Sequence, residues 1–175
     1  ATYALSALVQ QTHGDVKNFT EVATKMLPVY PGVSVLILAP AGVIRYAIPL
    51  AGNERIIGLD LLKDPIMRRE TELARDSGKL TLAGPLELRQ GGQGLVARLP
   101  IYLDDAQGKP VFWGLANITM RLPQALASTQ LPELLRRGLD YKLWRTNPET
   151  GQIQIIEESQ AAALQEPVRD RKSVV

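Results

Sequence analysis

Few side chains in this sequence are placed for covalent chemistry, and His13 is the only histidine among 175 residues. A Ser-His-Asp triad would need it beside a nucleophile. It instead precedes Gly14 at a break in a helical pattern, far from any nucleophile elbow, and reads as a surface residue. Gln90-Gly91-Gly92-Gln93-Gly94 shares its glycine content with phosphate-cradling loops. No Lys-Ser/Thr follows, and the segment joins two expected strands where a P-loop would open a helix. A flexible hairpin tip is the better reading. Asn117-Ile118-Thr119 satisfies the glycosylation sequon, but inside an expected buried strand. The acidic pairs Asp104-Asp105 and Glu157-Glu158 fall in or beside turns, as solvated charge does, not as paired acid–base catalysts do. With no nucleophile, base and orienting group at workable spacing, the sequence argues against an enzyme and implies no cofactor.

Asp60 is the carboxylate that stands out. It follows Gly58-Leu59 at the end of an apolar run, and Asp64 is available to cap the next helix, so Asp60 is not needed there. Flanked by Leu59, Leu61 and Leu62, it has two readings. It faces a cavity with apolar walls and a few convergent polar groups, as a ligand pocket requires. Alternatively it is paired to an arginine such as Arg45 or Arg98.

The elements that position these residues are legible from period and punctuation. Residues 3–27 read as helix with one interruption. Phe19, Val22, Ala23, Met26 and Leu27 form an amphipathic stripe, with Asp15 as a cap for the second part. Pro28 and Pro31-Gly32 end it. Val33–Leu38 and Val43–Ile48 read as a β-hairpin around Pro40-Ala41-Gly42. Asp64-Pro65 starts a helix whose inward face is Ile66, Arg69, Leu73 and Ser77, and which stops at Gly78. Strands are expected at 80–83, 86–89, 95–103 and 111–120, the last two joined by the polar loop 104–110. Short helices follow around 123–127 and 131–137, then a hairpin pairing 139–145 with 152–157 around Asn147-Pro148-Glu149-Thr150-Gly151. Short turns between most strands argue an α+β fold with mainly antiparallel sheets, not a parallel βαβ sheet.

Composition agrees with a sizeable core and little else. Hydrophobic residues make up 45% and charged residues 22%, ordinary for a globular domain. With 20 cations against 18 anions, there is no basic field for nucleic acid. The absence of cysteine excludes disulfides and thiolate metal sites, and no metal site is expected. The longest apolar stretch, Val33 to Ala39, is too short to span a bilayer. The chain reads as part of a longer protein, with its membrane spans lying outside it.

Several segments together resemble the CHASE sensory family. They are Gly58-Leu59-Asp60, the helix end Ala74-Arg75-Asp76-Ser77-Gly78-Lys79, Leu82-Ala83-Gly84-Pro85-Leu86-Glu87-Leu88, the strand Leu99-Pro100-Ile101-Tyr102, and Phe112-Trp113-Gly114-Leu115. The order and spacing match over about residues 33–157. The family comprises extracytoplasmic sensors of histidine kinases, diguanylate cyclases and cyclic-di-GMP phosphodiesterases, and includes the plant cytokinin receptors. The resemblance implies a long N-terminal helix beside two PAS-like lobes. Residues 1–29 would be the helical stalk, 30–120 the membrane-distal ligand-binding lobe and 121–175 the membrane-proximal lobe, incomplete by a final strand. It also implies ligand contacts from the positions of Asp60 and Leu82.

Strand geometry adds Tyr46, Arg98, Tyr102 and Trp113 to that site, since Arg98, Pro100 and Tyr102 share one face at period two. The alternative is that the aromatics fill the core and Arg98 points to solvent. The expected function is a periplasmic, membrane-anchored input domain for a small ligand, working as a homodimer without nucleic acid. The rival is a ligand-free sensor driven by a protein partner or by dimerisation. The N-terminal stripe serves either a homodimer or packing on its own lobes.

Overall fold

Two apolar runs separated by a polar loop form the longest ladder in the computed structural model, which describes residues 1–148 and 150–159. In the first unit these are β4 (Gln93–Asp104) and β5 (Pro110–Arg121), joined where Asp105 Oδ1 accepts from the Gln107 and Lys109 amides. Earlier in the chain come α1 (Thr2–Gln11), α2 (Phe19–Met26), β1 (Val35–Pro40), β2 (Tyr46–Ile48), α3 (Arg68–Ser77) and β3 (Thr81–Glu87). The sheet is wholly antiparallel in the order β2-β1-β5-β4-β3. This is the expected α+β architecture, with strands dominating and helices few.

Register decides which side chains share a face, because strand residues alternate. One cross-strand row runs Ala47, Ile37, Asn117, Arg98, Thr81, and the next runs Val35, Thr119, Val96, Ala83. On the opposite face, Leu36, Leu38, Ile101 and Ala116 pack against Leu5, Val9, Phe19 and Ala23 of the two helices. The apolar stripe of α2 is therefore buried on the sheet of its own unit. The N-terminal segment is two helices of ten and eight residues, not one long helix. The chain turns between them at His13 (φ 50°) and Gly14 (φ 86°). A Cβ on Gly14 would stand 2.6 Å from Trp113 Nε1, so glycine lets the break close onto β5. The second helix is not capped by Asp15. That carboxylate accepts from Lys17 N–H at 3.1 Å, while Asn18 occupies the cap position.

The hairpin at 33–48 forms as β1 and β2, and the two expected short strands at 80–89 are one strand, β3, with a register shift between Ala83 and Leu86. Helix α3 ends at Gly78 (φ 68°) as expected, but its inward face does not match the sequence reading. Ile66 is 71% and Leu73 43% exposed, whereas Thr71 and Ala74 are fully buried. Small side chains let this polar helix lie close to the sheet, and longer apolar ones would hold it off.

The chain divides after Ser128 into two compact units. A short helix, α4 (Gln124–Ala127), ends the first. The second holds α5 (Leu131–Arg136) and the hairpin of β6 (Lys142–Thr146) with β7 (Ile153–Glu158). Residues 160–175, the remainder of the expected proximal lobe, lie outside the described residues, as does Glu149 of the expected turn. No helix among the described residues is long and apolar enough to cross a membrane.

Candidate functional site

The face of the sheet away from α1 and α2 is covered by residues 42–67 and α3, and between cover and sheet lies a cavity. Its floor is Ile37 of β1, Val96 and Arg98 of β4, and Asn117 and Thr119 of β5. Ile44, Ile56, Leu59, Leu61 and Met67 form the roof, and Leu88, Arg89 and Gln90 the rim. The enclosed space is about 30 Å3, room for about one or two waters and well below the ~300–1,000 Å3 of ligand pockets. Apolar walls with polar groups gathered at one place are the arrangement that fixes the orientation of a small ligand.

Those polar groups come from the floor row. Arg98 is 1% exposed and Asn117 likewise, and the ladder sets them directly opposite each other. Asn117 Oδ1 and Thr81 Oγ1, on either side of Arg98, have no hydrogen-bond partner among the described residues. Buried acceptors are normally satisfied, so two in one row beside a guanidinium mark a place built for more than packing. No group of three or more His, Asp or Glu side chains able to hold a metal occurs among the described residues.

The cover is held by Asp64. Its side chain is 2% exposed, and Arg89 at the rim donates to its Oδ2. Its Oδ1 accepts the Ile66 and Met67 amides at 3.0 Å each, so it closes the turn before α3, and the helix itself starts at Arg68 with Met67 at its cap position, not at Pro65 with Asp64 as the cap. Burial alone would raise the Asp64 carboxyl, but those amides and the Arg89 guanidinium outweigh it and leave it below the ordinary aspartate value.

Of the six residues singled out from sequence, Arg98 lines the cavity. Tyr102 shares the cavity side of the sheet but sits farther along, where its hydroxyl donates to Arg75 O at the end of α3 and its ring meets Phe112 edge-on at 5.8 Å. Tyr46 and Trp113 belong to the other face. The Tyr46 ring meets Phe19 tilted, centroids 5.7 Å apart, and Tyr46 and Trp113 both pack against the core beneath α1 and α2. Leu82 pairs with Ala97 on that same side and is 40% exposed. Asp60 lies in the cover, outside the cavity lining. Its partner is neither Arg45 nor Arg98 but Lys63, 3.1 Å away, and its Oδ1 accepts the Leu62 amide at 3.1 Å. It thus caps the turn 60–63, a local role distinct from the helix cap for which it was not needed. The Lys63 hydrogen bond holds its carboxyl below the usual range, against a smaller opposing effect of burial.

Asn117, Thr119, Arg89 and Gln90 were missed. The signal for the first two was present: polar residues two apart in a strand otherwise fit for a core, here discounted as a sequon.

Residues 17–156 match the family model for the CHASE domain. The chain belongs to the CHASE family. CHASE domains are sensory modules of the extracytoplasmic side, so this one is an extracytoplasmic sensor domain. Among curated proteins, no sequence matches it. Among solved structures, an extracellular ligand binding receptor from Desulfohalobium retbaense DSM5692 superposes with a TM-score of 0.63 at 13% identity. The match covers 92% of this CHASE domain and 27% of the receptor's length, and at that identity it is a likeness of fold.

Proposed function

We propose that this CHASE domain binds a small ligand in the cavity between its sheet and residues 42–67, and that occupancy drives an output domain elsewhere in the same membrane-anchored protein. The observation that carries this reading is the pair of buried polar side chains, Arg98 and Asn117, set opposite each other on the floor of a mainly aliphatic cavity. The sheet order β2-β1-β5-β4-β3, with one face helix-covered and the other roofed by loop and helix, supports treating the first unit as the PAS-like distal lobe. The output would be a histidine kinase, a diguanylate cyclase or a cyclic-di-GMP phosphodiesterase. Physically, a ligand that prefers the cover seated on the sheet shifts a two-state equilibrium, and the same strands carry α1 and α2 on their other face. A coupling of about 1–3 kcal/mol suffices for such a switch.

A thermal-shift screen of a small-molecule library tests it, since a ligand at about a hundred times its Kd stabilises by ~2.7 kcal/mol. The expected result is a hit whose shift vanishes in Leu59→Trp, where the indole fills the space from the roof. Hits that bind this variant equally well, or a library without any binder, would count against the pocket.

A second reading is favoured by the second unit, where Leu143, Trp144, Ile153 and Ile155 are each more than a third exposed. Such a surface suits a protein partner or a homodimer, with the signal then passing by assembly.

A further inference from the structure

A cavity with room for water alone admits a ligand only when something moves, and the cover is built to be that part. The sheet order β2-β1-β5-β4-β3 puts β2 and β3 at opposite edges. Near the β2 edge the cover is tied by backbone. Gly58 N–H donates to Ile44 O at 2.8 Å and Leu61 N–H to Gly42 O at 2.9 Å, and Arg45 N–H donates in turn to Leu38 O of β1 at 3.1 Å. No backbone hydrogen bond among the described residues joins residues 49–67 to a strand. Toward the β3 edge the polar tie is Asp64 with Arg89, which stands in the turn between β3 and β4. The rest of the contact is apolar, with Ile56 and Leu61 in one cluster with Ile37, Ala39 and Leu115 of the sheet. We propose that residues 49–67 form a lid hinged near the β2 edge and clasped toward the β3 edge by the Asp64–Arg89 pair. Seated, the lid leaves the small enclosed space; released, it lifts Ile56, Leu59 and Leu61 off the floor and lets a small molecule in. This rests on the pocket reading above and adds how the pocket opens.

Two physical arguments support it. Apolar contact is non-directional, so the lid can reseat on a ligand as readily as on the sheet. The clasp is directional and weights the closed state. The Asp64 side chain is 2% exposed and Arg89 is the donor to its Oδ2. Without that guanidinium the closed lid would hold a buried charge with half its partners gone, whereas lifting returns the carboxylate to water. Arg89 can let go at little cost, since its side chain is already 42% exposed and stays hydrated either way. Beyond residue 67 the motion stops, because α3 starts at Arg68 and the Tyr102 hydroxyl holds its far end at Arg75 O.

The chain has no cysteine, so a single introduced thiol reports on its own surroundings. Val96→Cys puts one on the cavity floor and Val9→Cys one beneath α1 on the other face. Thr119→Cys is a second floor position if Val96→Cys does not fold. The whole chain is treated with an aromatic disulfide reagent over a range of urea concentrations below unfolding. The floor thiol should react faster than the thiol at position 9 and almost independently of urea, as local opening does, while the latter tracks global unfolding. Adding Arg89→Met, which keeps the stem and removes the donors, should speed the floor thiol about tenfold relative to position 9. Arg89→Lys should restore most of the protection. A mere loss of global stability would speed both thiols alike. If the floor thiol reacts by local opening but Arg89→Met leaves the ratio unchanged, the clasp falls and the pocket reading stands. If both thiols react at one rate with one urea dependence, the cover does not lift short of unfolding, and the lid and the pocket fall together.

Discussion

Asp60 and Asp64 are four positions apart and differ in what their carboxylates hold. Asp64 is buried, bonds two amides and anchors Arg89 from 25 residues away. Asp60 is a quarter exposed and serves a local turn and a Lys63 side chain that is 85% exposed. Asp64→Ala should therefore cost roughly 1–3 kcal/mol by urea unfolding near neutral pH, as a cap and a buried charge partner are lost together. Asp60→Asn keeps volume and one acceptor and loses a screened pair, so its cost should stay under about 1 kcal/mol. It should also leave ligand affinity unchanged, because Asp60 is not at the cavity. The pH dependence follows the sign of the Asp64 shift. Its folded pKa is depressed, so in that range the unfolded chain binds more protons than the native one and stability rises with pH. Its contribution is complete above the unfolded value of about 3.9 and is lost as pH falls through the lower folded value. Asp64→Ala should flatten that part of the curve; an unchanged acid limb would assign it to other carboxylates.

At the level of elements, the sheet depends on close approaches that side chains cannot share. Gly114 on β5 pairs with Pro40 of β1, and a Cβ there would lie 2.3 Å from Ala39 O and 2.8 Å from Pro40 Cα. Backbone cannot step aside as a flexible side chain can. Gly114→Ala should cost about 3 kcal/mol, at the upper end of overpacking penalties. Gly52→Ala, with φ +78° and nothing within 4 Å, should lose only about 1 kcal/mol from backbone strain. Chemical denaturation of both variants separates a steric effect from a conformational one, and equal losses would remove the steric account. The same contrast explains what could be read in advance. Strands β4 and β5 were legible because apolar runs, a polar loop and its glycine are local signals. The face of α3 was not. Ile66 and Leu73 look like core from hydropathy, but a helix lying close to a sheet buries Thr71 and Ala74, and closeness is a tertiary fact. The placement of Tyr46 and Trp113 opposite Arg98 was hidden for the same reason: period two tells which residues of one strand share a face, but not which faces of different strands coincide until register is known. Arg98 was legible as a neighbour of Pro100 and Tyr102 because period two within one strand is local, and it does line the cavity.

Across the whole molecule, burial is unevenly divided between the two units. Every fully or nearly buried apolar side chain among the described residues, from Leu5 to Ala125, belongs to the first unit. So do all the cavity-lining residues, which run from Ile37 to Thr119. Among its described residues the second unit presents a two-stranded hairpin and a six-residue helix, with Trp144, Ile153 and Ile155 well exposed. An isolated two-stranded hairpin is at best marginal in water, and a chain of that size buries too small a share of its surface to offset the entropy of ordering it. The first unit has a sheet covered on both faces, each with its own buried cluster. A fragment of residues 1–128 should therefore unfold cooperatively and keep the affinity of any cavity ligand within a factor of about two. Calorimetry on this fragment decides it. A broad, non-cooperative transition, or loss of binding in 1–128, would show that the first unit does not stand on its own core.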